Sequence, residues 1–322
     1  MNIRNRRSLK QSAASALSES AYPYRKLFAI YCIVSISFSL LVAVLDYLLT
    51  SGAIVTEGIA GVQNKAILTM AQMIIQWAGF VFLPFWQYGL LFVTIGLAAK
   101  TAVTPRNLLA GFRRFGPLVG LMILSAVMGM ILAVISYPIS LFLFFLTPAA
   151  GMILEPAMAF AQTGQELTPE ALEQLITPQV ELAAVIYLVI FVIVFLAVYI
   201  PLFYRVRLAG YFIMDMPQVG AFQSILLSWK ACKKNGFALF LLDLSYWWYY
   251  LLSAIPVIVC DALVLLPQTG IPLPVDQSTL LLVSNLAYAL WVVLITVLIA
   301  PRVQTTYAAA YQALKEPIFV KE

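Results

Sequence analysis

The stretch Leu182–Phe203, LAAVIYLVIFVIVFLAVYIPLF, carries no charge between Glu181 and Arg205. A helix needs about 20 apolar residues to cross the hydrocarbon of a bilayer. With no water to satisfy backbone N–H and C=O groups, an uncharged run of this length has to be a helix. It also lacks the alternation of a membrane barrel strand. The pattern recurs on either side, at roughly Leu27–Leu49, Ala71–Leu97, Leu118–Ile135, Leu244–Leu266 and Leu280–Ala300. The chain therefore reads as an all-α polytopic membrane protein of six transmembrane helices.

The segments between the stretches alternate in charge. Arg4, Arg6, Arg7, Lys10, Arg25 and Lys26 precede the first, and Lys100, Arg106, Arg113 and Arg114 follow the second. Arg205, Arg207, Lys230, Lys233 and Lys234 follow the fourth, and Arg302, Lys315 and Lys321 close the chain. Of the 19 Lys and Arg, only Lys65 falls on the other side, where the third connection is acidic (Glu155, Glu166, Glu170, Glu173, Glu181). Short loops rich in Lys and Arg stay cytoplasmic. Both termini are therefore expected inside, with three outward hairpins, one integral domain over residues 1–322, and cytoplasmic ends at 1–26 and 303–322.

Composition agrees. Apolar residues make up 63% and charged residues 10%, against about half and a quarter in soluble domains. The net charge of +5 is spread over four short segments, which suits topology and anionic headgroups and argues against nucleic acid. Cys32, Cys232 and Cys260 stand apart and imply no disulfide framework. The sequence has no histidine, which removes His-based triads, His-ligated zinc and imidazole relays. No Gly-rich phosphate loop, GxSxG elbow or acidic pair at catalytic spacing occurs. No enzymatic activity and no cofactor is expected. The first apolar run exceeds the 7–15 residues or so of a signal h-region, and Gly58-Ile59-Ala60 lies too far beyond it for a cleavage site, so the run reads as an uncleaved span.

Two cytoplasmic connections share a layout. Thr104-Pro105 opens one that ends Arg113-Arg114-Phe115-Gly116; Asp215-Met216-Pro217 opens another that ends Lys233-Lys234-Asn235-Gly236. Thr or Asp near Pro is a helix-start signal, and basic residues followed by Gly mark a stop. Leu108, Phe112 and Phe115 share one face, as do Phe222, Leu226 and Trp229. Both segments read as amphipathic helices along the inner headgroup layer, with Arg106, Arg113, Arg114, Lys230, Lys233 and Lys234 as candidate contacts for anionic lipid. Ser8–Ser18 (Leu9, Ala13, Leu17) and Thr305–Lys315 (Tyr307, Tyr311, Leu314) fit the same idea. The layout suits either a duplicated unit or the common habit of basic loops. Lys65 to Lys100 is longer than one crossing needs, and Gly79 and Pro84 are candidate kinks. Ile139–Thr147, framed by Pro138 and Pro148, extends the third helix or forms an external segment. Gln162–Glu181 reads as a short external helix.

Ionisable and polar residues within spans are candidate functional groups. Asp243 and Asp261 lie about 27 Å apart along a helix, so they fit opposite interfaces, with Trp247, Trp248, Tyr249 and Tyr250 as an aromatic belt. If the span starts at Phe237 instead, Asp243 goes deep and can line a cavity. Asp46 fits the outer interface. Gln72, Gln76 and Gln87 form a polar stripe on the second span, close to Thr69 and Thr94; Asn285 is its counterpart in the sixth. Such a stripe serves a solute pathway or hydrogen-bonded helix packing.

The stretches Met214-Asp215-Met216-Pro217, Ala221–Trp229, Lys233-Lys234-Asn235-Gly236 and Leu242-Asp243-Leu244-Ser245-Tyr246-Trp247-Trp248 resemble a bacterial membrane-protein family, number 975 in the domain-of-unknown-function series. Its Asp-x-Pro turn and its Leu-Asp-Leu-Ser-Phe-x-x-Trp signature are matched with Tyr246 in the Phe place and Trp247 ahead of the expected Trp. Its closing Pro-Tyr-x-x-x-Thr-x-x-x-Tyr pattern is matched in part by Pro301, Thr305 or Thr306, and Tyr311, with Arg302 replacing the aromatic. Leu9-Lys10-x-x-Ala13 also fits. The resemblance implies a bacterial plasma-membrane protein, from a Gram-positive cell, and supplies no activity.

Two functional classes follow. One is a non-enzymatic accessory or scaffold that binds membrane lipids, another membrane protein or a second copy of itself. The other is a small carrier or permease using the glutamine stripe and Asp243. Carriers usually show broken helices and polar groups near mid-bilayer; few are evident here, which favours the accessory class.

Overall fold

A computed structural model of the protein describes residues 5–50, 58–163, 177–265 and 277–319. The described residues are helical, with no strand among them. In chain order the elements are α1 (Arg6–Ser18), α2 (Tyr24–Thr50), α3 (Gly58–Ala98), a 3-10 turn (Pro105–Leu109), α4 (Ala110–Arg113), α5 (Phe115–Phe145) and α6 (Ala149–Thr163). They continue with α7 (Pro178–Val206), α8 (Ala209–Asp215), α9 (Ala221–Cys232), α10 (Gly236–Leu244), α11 (Trp247–Leu265), α12 (Gln277–Leu298) and α13 (Ala300–Phe319).

Five stretches among the described residues are long and apolar enough to cross a membrane: Tyr24–Thr50, Gly61–Ala98, Phe115–Phe145, Pro178–Asp215 and Thr279–Leu298. The pair Gly236–Leu244 and Trp247–Cys260, bent by 59°, makes a sixth if it counts as one broken span. This is an all-α polytopic membrane fold. The bend falls at Ser245-Tyr246, where the Ser245 N–H reaches the carbonyls of Leu241 and Leu242 and ends α10.

Two compact units form, one from the residues up to Gly120 together with those from Arg207 onward, the other from Leu121–Val206. The first builds its core around the C-terminal half of α3. Trp86, Leu90, Val93 and Leu97 bury against Leu17, Leu27, Phe28, Leu108 and Ala300. The first half of α3 instead exposes Met70, Met73, Ile74, Trp77, Phe80 and Val81, as a lipid-facing helix does. The length of Lys65–Lys100 thus has a physical reason. One part of a single helix has the surface of a span, and the rest is the post around which the basic end is assembled.

Backbone contact is close there. A Cβ on Gly89 would lie 1.7 Å from the Leu108 carbonyl oxygen, and one on Gly111 would lie 1.9 Å from that of Phe85. These two glycines let the turn and α4 lie directly against α3. The turn itself starts at Thr104, whose backbone N–H donates to the Asn107 side chain at 2.8 Å, with Pro105 in the first helical position.

The two basic connections differ in which face is covered. In the first, Leu108 is buried and the Phe112 ring packs, tilted, against Phe82 and Phe85 of α3. In the second, α9 seats Ser224 and Ser228 inward and leaves Phe222 66% and Leu226 47% exposed. Leu9, Ala13 and Leu17 of α1, and Tyr307, Tyr311 and Leu314 of α13, are buried against protein.

In the second unit, α5 continues through Pro138 to Phe145, so Ile139–Phe145 extends the third span. Phe144, Ala149, Ala150 and Ala183 form its core. Along α7, Phe191, Phe195, Tyr199 and Phe203 stack at successive i,i+4 positions, with Tyr187 tilted against Phe191. The expected external helix over Gln162–Glu181 lies largely outside the described residues.

Candidate functional site

Asp243 sits near the end of α10, two residues before the Ser245-Tyr246 bend. Its carboxylate accepts from the Arg207 guanidinium and from the Tyr307 hydroxyl of α13. Tyr250, from α11, hydrogen-bonds Tyr307 at 2.9 Å. The guanidinium also lies over the Tyr307 ring, 4.4 Å from its centroid. The two charged side chains are only 16% and 14% exposed. Burial of the Tyr307 hydroxyl, and its hydrogen bond to the carboxylate, push its pKa well above the usual tyrosine value. Asp243 is thus one member of a largely buried ion pair.

A second node repeats the chemistry. Asp215, at the end of α8, accepts from the Tyr311 hydroxyl at 2.7 Å and from Lys315 at 2.6 Å. The Tyr311 ring stacks on Tyr211 and meets Phe212 edge-on. Burial and the Asp215 carboxylate raise its pKa as well. At the bend, the Tyr246 hydroxyl meets Thr306 at 2.9 Å, and Lys10 lies 4.0 Å from the Tyr246 ring centroid while donating to the Ser245 carbonyl. Burial, and then Arg6, lower the Lys10 pKa. Tyr307 and Tyr311 share a face of α13 because four residues make about one turn. That face fastens the α8 and α10 ends, and the adjacent Thr306 of the same helix fastens the bend. The motif stretches meet here as Asp215 with Tyr311, as Tyr246 with Thr306 and, from the opposite end of the sequence, as Lys10 with Ser245.

The polar residues of the spans lie elsewhere. Gln72 and Gln76 of α3 and Asn285 of α12 line one groove beside α2, together with Ser39, Asp46, Phe38 and Phe80; it encloses about 570 Å³. Gln87 is not among the lining residues. It lies about 16 Å further along the helix than Gln76, at the level where α4 docks. Thr69 and Thr94 return their hydroxyls to carbonyls of their own helix, at Lys65 and Leu91. Sequence reasoning set Asp46 apart from this group by counting from Lys26. The signal that finds it is the register of α2 on α3, which no spacing within one helix encodes.

Of the basic residues, Arg106, Arg113, Lys230, Lys233 and Lys234 are exposed. Arg114 donates to the Pro217 carbonyl and so ties the two basic connections together. No group of three or more His, Cys, Asp or Glu side chains able to hold a metal occurs among the described residues.

No family model, curated protein or solved structure matches this chain.

Proposed function

We propose that the protein is a non-enzymatic accessory or scaffold protein of a bacterial plasma membrane, with both termini and the basic end in the cytoplasm. In this reading it holds to the anionic inner leaflet through α9 and the start of α10, and presents its helices to another membrane protein. The observation that carries this is the orientation of α9. Its small hydroxyl residues face the protein, Ser228 accepting from the Leu208 N–H at 3.1 Å. Phe222 and Leu226, with Phe237 of α10, face outward beside exposed Lys230, Lys233 and Lys234. Apolar side chains flanked by lysines are what an interfacial helix offers to headgroups. Membership of domain-of-unknown-function family 975 is part of the proposal; it draws support from the contacts between its motif residues.

The test is lipid selectivity. The protein is placed in nanodiscs of mixed phosphatidylglycerol and phosphatidylcholine, and retained lipid is measured by native mass spectrometry. The wild type should enrich phosphatidylglycerol, and the triple variant K230Q/K233Q/K234Q should not. Equal retention by both would sink the lipid contact, and the absence of any stoichiometric protein partner on native extraction would sink the scaffold role.

The groove lined by Gln72, Gln76 and Asn285 favours a second reading, a small carrier, in which Asp243 is structural and has no part in transport.

A further inference from the structure

The contacts between α2 and α3 set the depth of every polar group in the groove. The Trp86 indole N–H donates to the Tyr31 carbonyl at 3.0 Å, and the two rings stack at 6.2 Å. One stage further along, Phe38 meets Phe82 at 5.5 Å, and a Cβ on Gly79 would be 3.3 Å from its ring. Continuing this antiparallel register brings Asp46 to the level of Gln72, and both line the groove.

The basic end supplies the depth marker. Phe112 packs on Phe82 and Phe85, so the neighbouring exposed Arg113 lies near that level of α3. Arginine at a span end belongs in the headgroup layer. From Phe85 to Lys65, the basic residue at the other end, is 20 residues, or about 30 Å, one hydrocarbon thickness. Gln76 then lies about 13 Å and Gln72 about 20 Å above Phe85. Asp46 accompanies Gln72 within the hydrocarbon span, well short of its outer edge. No side chain among the described residues pairs with the Asp46 carboxylate, and no Lys or Arg is among the residues lining the groove.

We propose that this groove is a binding site for a lipophilic organic cation, with the Asp46 carboxylate as its counter-charge. An ionisable group at this depth needs a partner, and among the described residues the only charge lining the groove is negative. The Gln72, Gln76 and Asn285 amides and the Ser39 hydroxyl offer oxygen acceptors. The Phe38 and Phe80 rings offer π faces, which attract cations. The volume of about 570 Å³ falls within the range of small-molecule pockets. The inference uses the groove that supports the carrier reading, but it requires binding only and no transport.

Tetraphenylphosphonium is the probe, and tetraphenylborate, of the same shape and opposite charge, is its control. Binding to the full-length protein is measured by equilibrium dialysis in nanodiscs of zwitterionic lipid, with empty nanodiscs subtracted. The expected result is saturable binding of the cation and none of the anion, with affinity falling at least tenfold in Asp46→Asn and retained within threefold in Asp46→Glu. Gln76→Leu should weaken it several-fold. No saturable cation binding, or equal binding of the two ions, overturns the proposal on the wild-type protein alone, even if a variant fails to fold. Equal binding by wild type and a folded Asp46→Asn overturns it too. Saturable binding with no cation flux in sealed proteoliposomes leaves the site standing and removes the carrier reading.

Discussion

Arg207 and Asp243 are 36 positions apart and form an ion pair closed by the Tyr307 hydroxyl. The pair fixes the end of α10 where the chain bends by 59°. Removing one member of a buried pair strands the other charge and costs about 3 kcal/mol, at the low end for such pairs because some solvent still reaches these two. Asp243→Asn and Arg207→Gln should each lower stability by about that much, measured by denaturant unfolding in detergent micelles. The double variant Arg207→Met/Asp243→Leu should lose less than the sum of the two single losses. A stable, folded Asp243→Asn protein would free this carboxylate for a role beyond holding the bend.

The Asp215 node makes a pH prediction. The Tyr311 and Tyr307 hydroxyls have pKa values raised above the ordinary 10.0, first by burial and then by hydrogen bonds to carboxylates. Above pH 10 the unfolded chain releases these protons while the folded chain keeps them, so the unfolded state binds fewer and stability falls as pH rises. Their contribution is complete below pH 10 and is lost above it. Tyr311→Phe should flatten part of that decline and cost about 2 kcal/mol at pH 7, the worth of a hydrogen bond to a charged group. An alkaline limb unchanged in Tyr311→Phe would contradict the assignment.

The spans were legible because length and apolarity alone define a crossing, and Leu182–Phe203 needed nothing else. The basic end was less so. The apolar faces of α1 and α13 look the same in sequence whether they cover lipid or protein, and the structure gives them to protein. Asp243 had a visible depth problem but no visible partner, since Arg207 lies a connection, α8 and α9 away. Gln72, Gln76 and Asn285 were legible as polar groups in apolar runs. Their meeting with Asp46 depends on helix register, set by Trp86 on Tyr31 and by Gly79 under Phe38.

The contact between α3 and the first basic connection is set by backbone, so it should be intolerant of a single methyl. Gly89→Ala and Gly111→Ala place a Cβ within 2 Å of the Leu108 and Phe85 carbonyl oxygens, and the helices must separate. Overpacking of this kind costs about 1–3 kcal/mol. Gly116→Ala meets nothing within 4 Å and removes a helical glycine, so it should be neutral or stabilising by up to about 1 kcal/mol. Thermal unfolding of the three variants checks this: similar behaviour in all three would mean that the approach of the turn to α3 is looser than its geometry.

Orientation decides which leaflet α9 meets, and two single-cysteine probes can read it. Lys234 and Lys65 are both exposed, at the two ends assigned to opposite sides of the membrane. A membrane-impermeant maleimide should label Lys65→Cys in intact cells and Lys234→Cys only after permeabilisation. Cys260 is only partly buried and is replaced by Ser in both probes; background from the other two native thiols should be low at neutral pH. Cys32 and Cys232 are buried, and burial pushes the Cys232 thiol up to about 11, which leaves little of the reactive thiolate. The reverse pattern would put the α9 lysines on the outer face and remove the electrostatic basis for inner-leaflet docking. Labelling of both sites in intact cells would mean that the chain inserts both ways round, an outcome that the strong Lys and Arg bias argues against.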